Sequence, residues 1–80
     1  MKKFQLLVAT PTSVEFAGEA ESLTVPGASG EMTILPEHSA LISELKSGGI
    51  RITSDGKKTT LSLGRGVVEV RANGVTVLLD

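Results

Sequence analysis

Few side chains in this sequence could carry covalent chemistry. There is one histidine, His38, beside Glu37, no cysteine, and a scatter of serines with no recurring partner. A nucleophile needs a base within reach and a third group to orient that base, and no local pattern supplies either, so a hydrolase is not expected. Neighbouring residues of a strand point to opposite faces, so Glu37 and His38 would diverge rather than share a metal ion. No metal site is expected, and His38 reads first as an exposed loop residue. Gly27, Gly30, Gly48, Gly49, Gly64 and Gly66 are not followed by a helix or by a Lys-Ser/Thr pair, which excludes a phosphate loop. They suit turns and bulges instead. Lys57 and Lys58 follow Asp55-Gly56 without the neighbours of a biotinyl or lipoyl hairpin.

The composition narrows the function classes further. Eight Lys and Arg oppose nine Asp and Glu for a net charge of -1, with neither sign gathered into a block. A footprint on a nucleic-acid backbone would need clustered cations. With two Phe, no Tyr and no Trp, the chain also lacks the stacking platforms of single-strand binders and the aromatic-lined pocket of a sugar-binding sandwich. A chain of 80 residues buries only about 60% of its unfolded surface. A hydrophobic content of 40% is high for so thin a core, so some apolar residues should form an exposed binding patch. Without cysteine the fold stands on packing or on a neighbour, in keeping with a reducing, cytoplasmic-type compartment. The opening Met1-Lys2-Lys3 and the short apolar run after it are broken by Gln5 and Pro11, unlike a secretory signal. No apolar run approaches the roughly 20 residues of a spanning helix. The expectation is a protein that is soluble, or peripheral to a membrane at most.

The elements that must position these residues are strands. β-rich segments at 4–9, 13–16, 22–25, 31–35, 49–54, 58–63, 67–71 and 75–79 alternate with turn residues, the spacing of a sandwich or barrel. Ile50 and Ile52 alternate with Arg51 and Thr53, and Val68 and Val70 with Glu69 and Arg71, giving one buried and one wet face. Asn73-Gly74 and Asp55-Gly56 suit tight hairpins, and Pro26-Gly27 a type II turn. Two stretches break the alternation: Leu6-Leu7-Val8-Ala9 and Val77-Leu78-Leu79 are apolar on both faces, so the sheet there is covered twice or a partner covers it. Residues 40–46 fit a short helix capped by Ser39 and closed by Gly48 as well as they fit a strand. No repeat, low-complexity tract or linker divides the chain, which reads as one domain over 1–80.

One motif is fairly specific. Gly30-Glu31-Met32-Thr33-Ile34-Leu35-Pro36-Glu37-His38-Ser39-Ala40-Leu41-Ile42 resembles the G-E-x-x-I-x-P-x-H-x-x-L motif of the epsilon subunit of rotary F-type ATP synthases. The resemblance runs on through Val25 to Gly27, Gly49-Ile50-Arg51-Ile52, Leu63-Gly64-Arg65-Gly66-Val67-Val68-Glu69-Val70 and Asn73-Gly74-Val75-Thr76-Val77-Leu78. It implies an all-β fold, a flattened ten-stranded β-sandwich or barrel, and makes residues 40–46 a strand. It also implies a non-catalytic rotor subunit at the foot of the central stalk, without cofactor, bound to the gamma subunit and to the ring of c subunits.

Carried over residue by residue, the resemblance puts Glu31, Met32, His38 and Ser43 toward the c ring and Thr10, Leu41 and Leu78 toward gamma. The alternative for Glu31 is a solvated turn carboxylate, and for the gamma-facing residues burial inside the sandwich. Most members continue into a C-terminal helical hairpin with the ATP-binding motif and the inhibitory conformation. The sequence ends where that hairpin would begin, so the resemblance implies a form that keeps assembly and coupling but binds no ATP. It further implies a peripheral position on the cytoplasmic face of a bacterial membrane or in a chloroplast, no nucleic-acid partner, no insertion into the bilayer, and a monomer outside the complex. An unrelated β-sandwich adaptor or ligand-binding domain is the competing reading.

Overall fold

The structure, a computed structural model, describes residues 2–80. These form nine strands and no helix: β1 (Phe4–Ala9), β2 (Val14–Ala20), β3 (Ser22–Gly27), β4 (Gly30–Ile34), β5 (Leu41–Leu45), β6 (Gly48–Ser54), β7 (Lys57–Leu63), β8 (Gly66–Arg71) and β9 (Gly74–Leu79). The all-β class is the one expected, with nine strands where the resemblance implies ten. Residues 41–45 are a strand, paired with β8 from Leu41↔Val70 to Leu45↔Gly66. Helix-like spacing of Leu41, Ile42 and Leu45 loses here to that ladder, as short apolar runs do when a neighbouring edge is free. Residues 35–40 add no strand: Pro36 has no N–H to give a ladder, and Glu37 turns at φ 67°.

One mixed sheet, in the order β2-β1-β9-β8-β5-β3-β6-β7 with β4 on β3, folds over on itself. The first half is β2-β1-β9-β8-β5, where β1 and β9 run parallel; the second is β4-β3-β6-β7. The halves join at a corner where β5 passes into β6 along β3: Lys46 N donates to Pro26 O at 2.8 Å and Ala28 N to Glu44 O at 2.9 Å. Away from the corner they are latched. Glu21 N donates to Thr53 O at 2.7 Å, Ser54 Oγ to the Glu19 carbonyl at 2.7 Å and Gly56 N to Glu21 Oε1 at 3.2 Å. Lys3 closes the same end by pairing with Asp55. Hydrogen bonding to Asp55, then its charge, raises the Lys3 pKa above its ordinary 10.5. A raised lysine pKa leaves its contribution intact below the unfolded value and removes it only as pH climbs through the folded one, so this latch is constant near neutrality on the lysine side.

Between the halves lies the core. Leu6, Val8, Val68, Val75 and Val77 come from the first half, Leu23, Val25, Ile34, Ile50 and Ile52 from the second, all buried. Each is flanked in sequence by an outward residue, which is the period-two pattern at work.

The turns correct two expectations. Asp55-Gly56 is the tight hairpin foreseen, with φ of 52° and 76° between the paired Ser54 and Lys57. Alanine at Gly56 would hold a Cβ in the left-handed region, which costs about 1–2 kcal/mol. Gly56→Ala is therefore expected to destabilise the domain by about 1 kcal/mol or more, checked by urea denaturation. The hairpin between β8 and β9 instead turns on Ala72-Asn73, because Arg71 pairs with Gly74. A Cβ on Gly74 would lie 3.0 Å from Gln5 O, so this glycine admits β1 rather than making the turn. Likewise Pro26 and Gly27 belong to β3, and the turn falls on Ala28-Ser29 between the paired Gly27 and Gly30.

Candidate docking face

The outward side of the first half-sheet is apolar over several strands. Register places Val14 beside Ala9, Ala9 beside Leu78 and Leu78 beside Val67, one row across β2, β1, β9 and β8. The next row runs Ala17, Leu7, Thr76, Glu69 and Ile42. Within these rows Val14 is 63%, Ile42 70% and Leu78 54% exposed, and Leu7 and Val67 are also solvent-accessible. Outward-facing strand positions are ordinarily polar when water is their neighbour, and a contiguous apolar patch marks an interaction surface.

On the other half-sheet the outward side is different in kind. Ser22, Thr24, Arg51, Thr53, Lys58 and Thr60 line a shallow trough, and Thr24 Oγ1 lies 3.0 Å from Thr33 Oγ1. One wall of the molecule is thus hydroxyl-rich and wet, the opposite wall apolar.

The residues singled out from sequence are distributed unevenly over this frame. Leu78 stands in the middle of the apolar face, and Thr10 borders it just past β1, its Oγ1 accepting from Ser13 N at 3.0 Å. Leu41 turns the other way and packs against the core. Glu31 lies at the corner end, exposed, its Oε2 accepting from Arg51 Nη2 at 3.0 Å. Met32 is half-buried against the core. Ser43 is half-buried in β5, its hydroxyl donating to the Glu44 carbonyl at 3.2 Å.

His38 does not join Glu31. It follows the far end of β4, where its N–H donates to Leu35 O at 3.1 Å and its Nδ1 bonds the Ser39 carbonyl at 2.9 Å. There it lines a cavity of about 350 Å³ with Phe4, Leu35 and Val70. The length of β4 separates the two, so a motif contiguous in sequence is split between the two ends of one strand. Sequence reasoning missed Val14, Ile42 and Val67 as members of the face. The doubled apolar pair at Val67-Val68 was the available signal, because an outward valine beside an inward one breaks the alternation.

Among the described residues no three His, Cys, Asp or Glu gather where a metal ion could be held. Nor, among the described residues, is any helix long and apolar enough to cross a membrane.

Residues 3–80 match the family model of the "ATP synthase, Delta/Epsilon chain, beta-sandwich domain". The chain is 40% identical over its whole length to the ATP synthase epsilon chain of Desulforamulus reducens, covering 61% of that protein. It is 43% identical over 96% of its length to the epsilon chain of Desulfitobacterium hafniense, covering 58% of it. The chain therefore spans about three fifths of the curated relatives it matches. Among solved structures, a chain of the Euglena gracilis mitochondrial ATP synthase in an OSCP/F1/c-ring assembly superposes with a TM-score of 0.90 at 19% identity, over 96% of this chain and 50% of that one. A chain of the Tetrahymena thermophila mitochondrial ATP synthase central stalk and c-ring gives 0.80 at 16%, over 98% and 63%. Those two likenesses bear on the fold alone, whereas the family match over 3–80 and the full-length identity to epsilon chains establish descent: the chain belongs to the family of the ATP synthase delta/epsilon chain β-sandwich domain.

Proposed function

We propose that this domain is a non-catalytic rotor component of an F-type ATP synthase, held between the gamma subunit and the c ring so that ion flow and ATP synthesis stay coupled. The observation that carries the reading is the apolar outer face on β2, β1, β9, β8 and β5, which an isolated sandwich would have no reason to keep. A coupling element must pass torque without deforming, and a sheet latched at one end and continuous through a corner at the other is stiff in that sense.

Gamma is assigned to the apolar face, with Leu78 at its centre and Thr10 at its border; Leu41 supports it from the core side. The c ring is assigned to the corner end, where Glu31 presents a carboxylate, with Met32 and Ser43 setting the strands behind it. His38, beyond the other end of β4, would meet a separate part of the ring surface. In the complex such a domain sits peripherally at the membrane, with no segment of its own inserted.

Calorimetry of the domain against purified gamma subunit tests the assignment: binding tighter than micromolar is expected, and none at all would favour an adaptor of another system. Glu31 gives a separate check. Its ion pair with Arg51 is exposed, and such pairs contribute only about 0.2–1 kcal/mol. Glu31→Lys is therefore expected to leave the urea midpoint nearly unchanged while weakening c-ring association in a reconstituted complex. Unfolding of that variant would show Glu31 to be structural instead.

A further inference from the structure

The two half-sheets differ in charge as well as polarity. The five strands behind the apolar face carry Glu15, Glu19, Glu44 and Glu69 against one cation, Arg71. The four strands of the other half carry Arg51, Lys57 and Lys58 against Glu31 alone. On the apolar face the single cation is already committed, with Arg71 Nη2 on Glu69 Oε1 at 2.9 Å. Beyond its ends Lys3 is tied to Asp55 and Arg65 lies 4.0 Å from Asp80, while Lys46 follows β5 at the corner. Glu19 accepts a weak bond from Gln5 Nε2 at 3.4 Å and Glu15 one from Ser13 Oγ at 2.7 Å. Among the described residues neither these nor Glu44 forms an ion pair.

Resting on the docking reading above, we infer that the apolar face is framed by carboxylates in order to select a partner surface whose apolar centre is bordered by lysine and arginine, and to steer its approach. Two of these carboxylates, Glu44 and Glu19, stand where such steering requires them, at the rim of the apolar rows, whereas Glu69 lies within the second row and is paired with Arg71. Glu44 flanks Val67 across the ladder, and Glu19 lies two positions along β2 from Ala17, next to the row of Leu7. Charges at the edge of an apolar contact act chiefly on encounter and on choice of partner rather than on final affinity. The same frame disfavours self-association, since a second copy docked face to face would bring carboxylates against carboxylates. The cationic, hydroxyl-rich wall would in turn repel a basic partner arriving from the wrong side.

The decisive experiment is stopped-flow association of the domain with purified gamma subunit over a salt series, for the wild type and for Glu19→Lys/Glu44→Lys, both exposed positions. Steered association slows by about 10-fold or more as salt screens it. The expected result is that fall for the wild type, a variant about 10-fold slower at low salt with a flat salt response, and dissociation rates changed far less. Wild-type association indifferent to salt, a variant that associates as fast, or a free domain that dimerises through this face would overturn the charged frame while leaving the docking face standing. Absence of any association, by wild type and variant alike, would remove the docking reading and the frame together.

Discussion

Alanine at Gly66 is expected to destabilise the fold by about 3 kcal/mol or more, the top of the range for overpacked interiors. Gly66 opens β8 and pairs on one side with Leu79 and on the other with Leu45, at the corner where the two half-sheets join. A Cβ built there would stand 2.2 Å from the Leu78 carbonyl oxygen and 2.9 Å from the Leu79 Cα. These are backbone atoms of the closing strand, so no rotamer change relieves the clash; β8 and β9 must separate. A small domain holds only about 5–15 kcal/mol in total, which makes this a large fraction. Urea denaturation followed by circular dichroism reads it as a lowered midpoint. Gly64→Ala is the control: nothing lies within 4 Å of a Cβ there, and its effect should stay within about 0.5 kcal/mol. Since the disturbed backbone is that of Leu78, Gly66→Ala should also weaken partner binding, through register rather than contact.

The strands were legible because their chemistry is local. Ile50 and Ile52, Val68 and Val70 announce an inward face by alternation alone, and all four are buried. Strand ends and turns were less legible, because a turn residue can serve another purpose. Gly74 looks like half of an Asn-Gly turn, yet it is a strand residue that lets β1 approach, through a contact with Gln5 at the other end of the chain. The tail of β2, Ala17-Gly18-Glu19-Ala20, has poor β-propensity and is held by pairing with β1 from Phe4↔Ala20 to Leu7↔Ala17. The apolar outer face, the candidate docking surface, was half legible. Leu7 and Leu78 showed in the doubled apolar runs, but nothing local says that β1 and β9 lie side by side and parallel, which is what fuses two anomalies into one surface. By the same logic the motif containing Glu31 and His38 looked like one site, and the direction of β4 is what separates its ends.

Leu78→Asp is expected to weaken binding to gamma by at least about 100-fold while the domain stays folded. Leu78 projects away from the core at 54% exposure, between two residues of the opposite facing, Val77 at 0% and Leu79 at 7%. Its register neighbours Ala9 and Val67 make it the middle of the patch, and central apolar side chains of an interface lose about 2–4 kcal/mol on disruption, with about 1.4 kcal/mol for each tenfold. Aspartate adds a second penalty, because its charge must be stripped of water beneath the partner and because it enlarges an already acidic frame. Stability should change by no more than about 1 kcal/mol, since the free domain keeps position 78 in water. Leu79→Asp separates contact from folding: its side chain enters the core, so it should abolish binding only by unfolding the domain, visible as loss of the β signature in circular dichroism. Calorimetry and circular dichroism on the pair therefore give opposite patterns if the outer face is the docking surface. A Leu78→Asp variant that is folded and binds as tightly as the wild type would place gamma elsewhere on the molecule, with the hydroxyl-rich wall around Thr24 and Arg51 the next surface to vary.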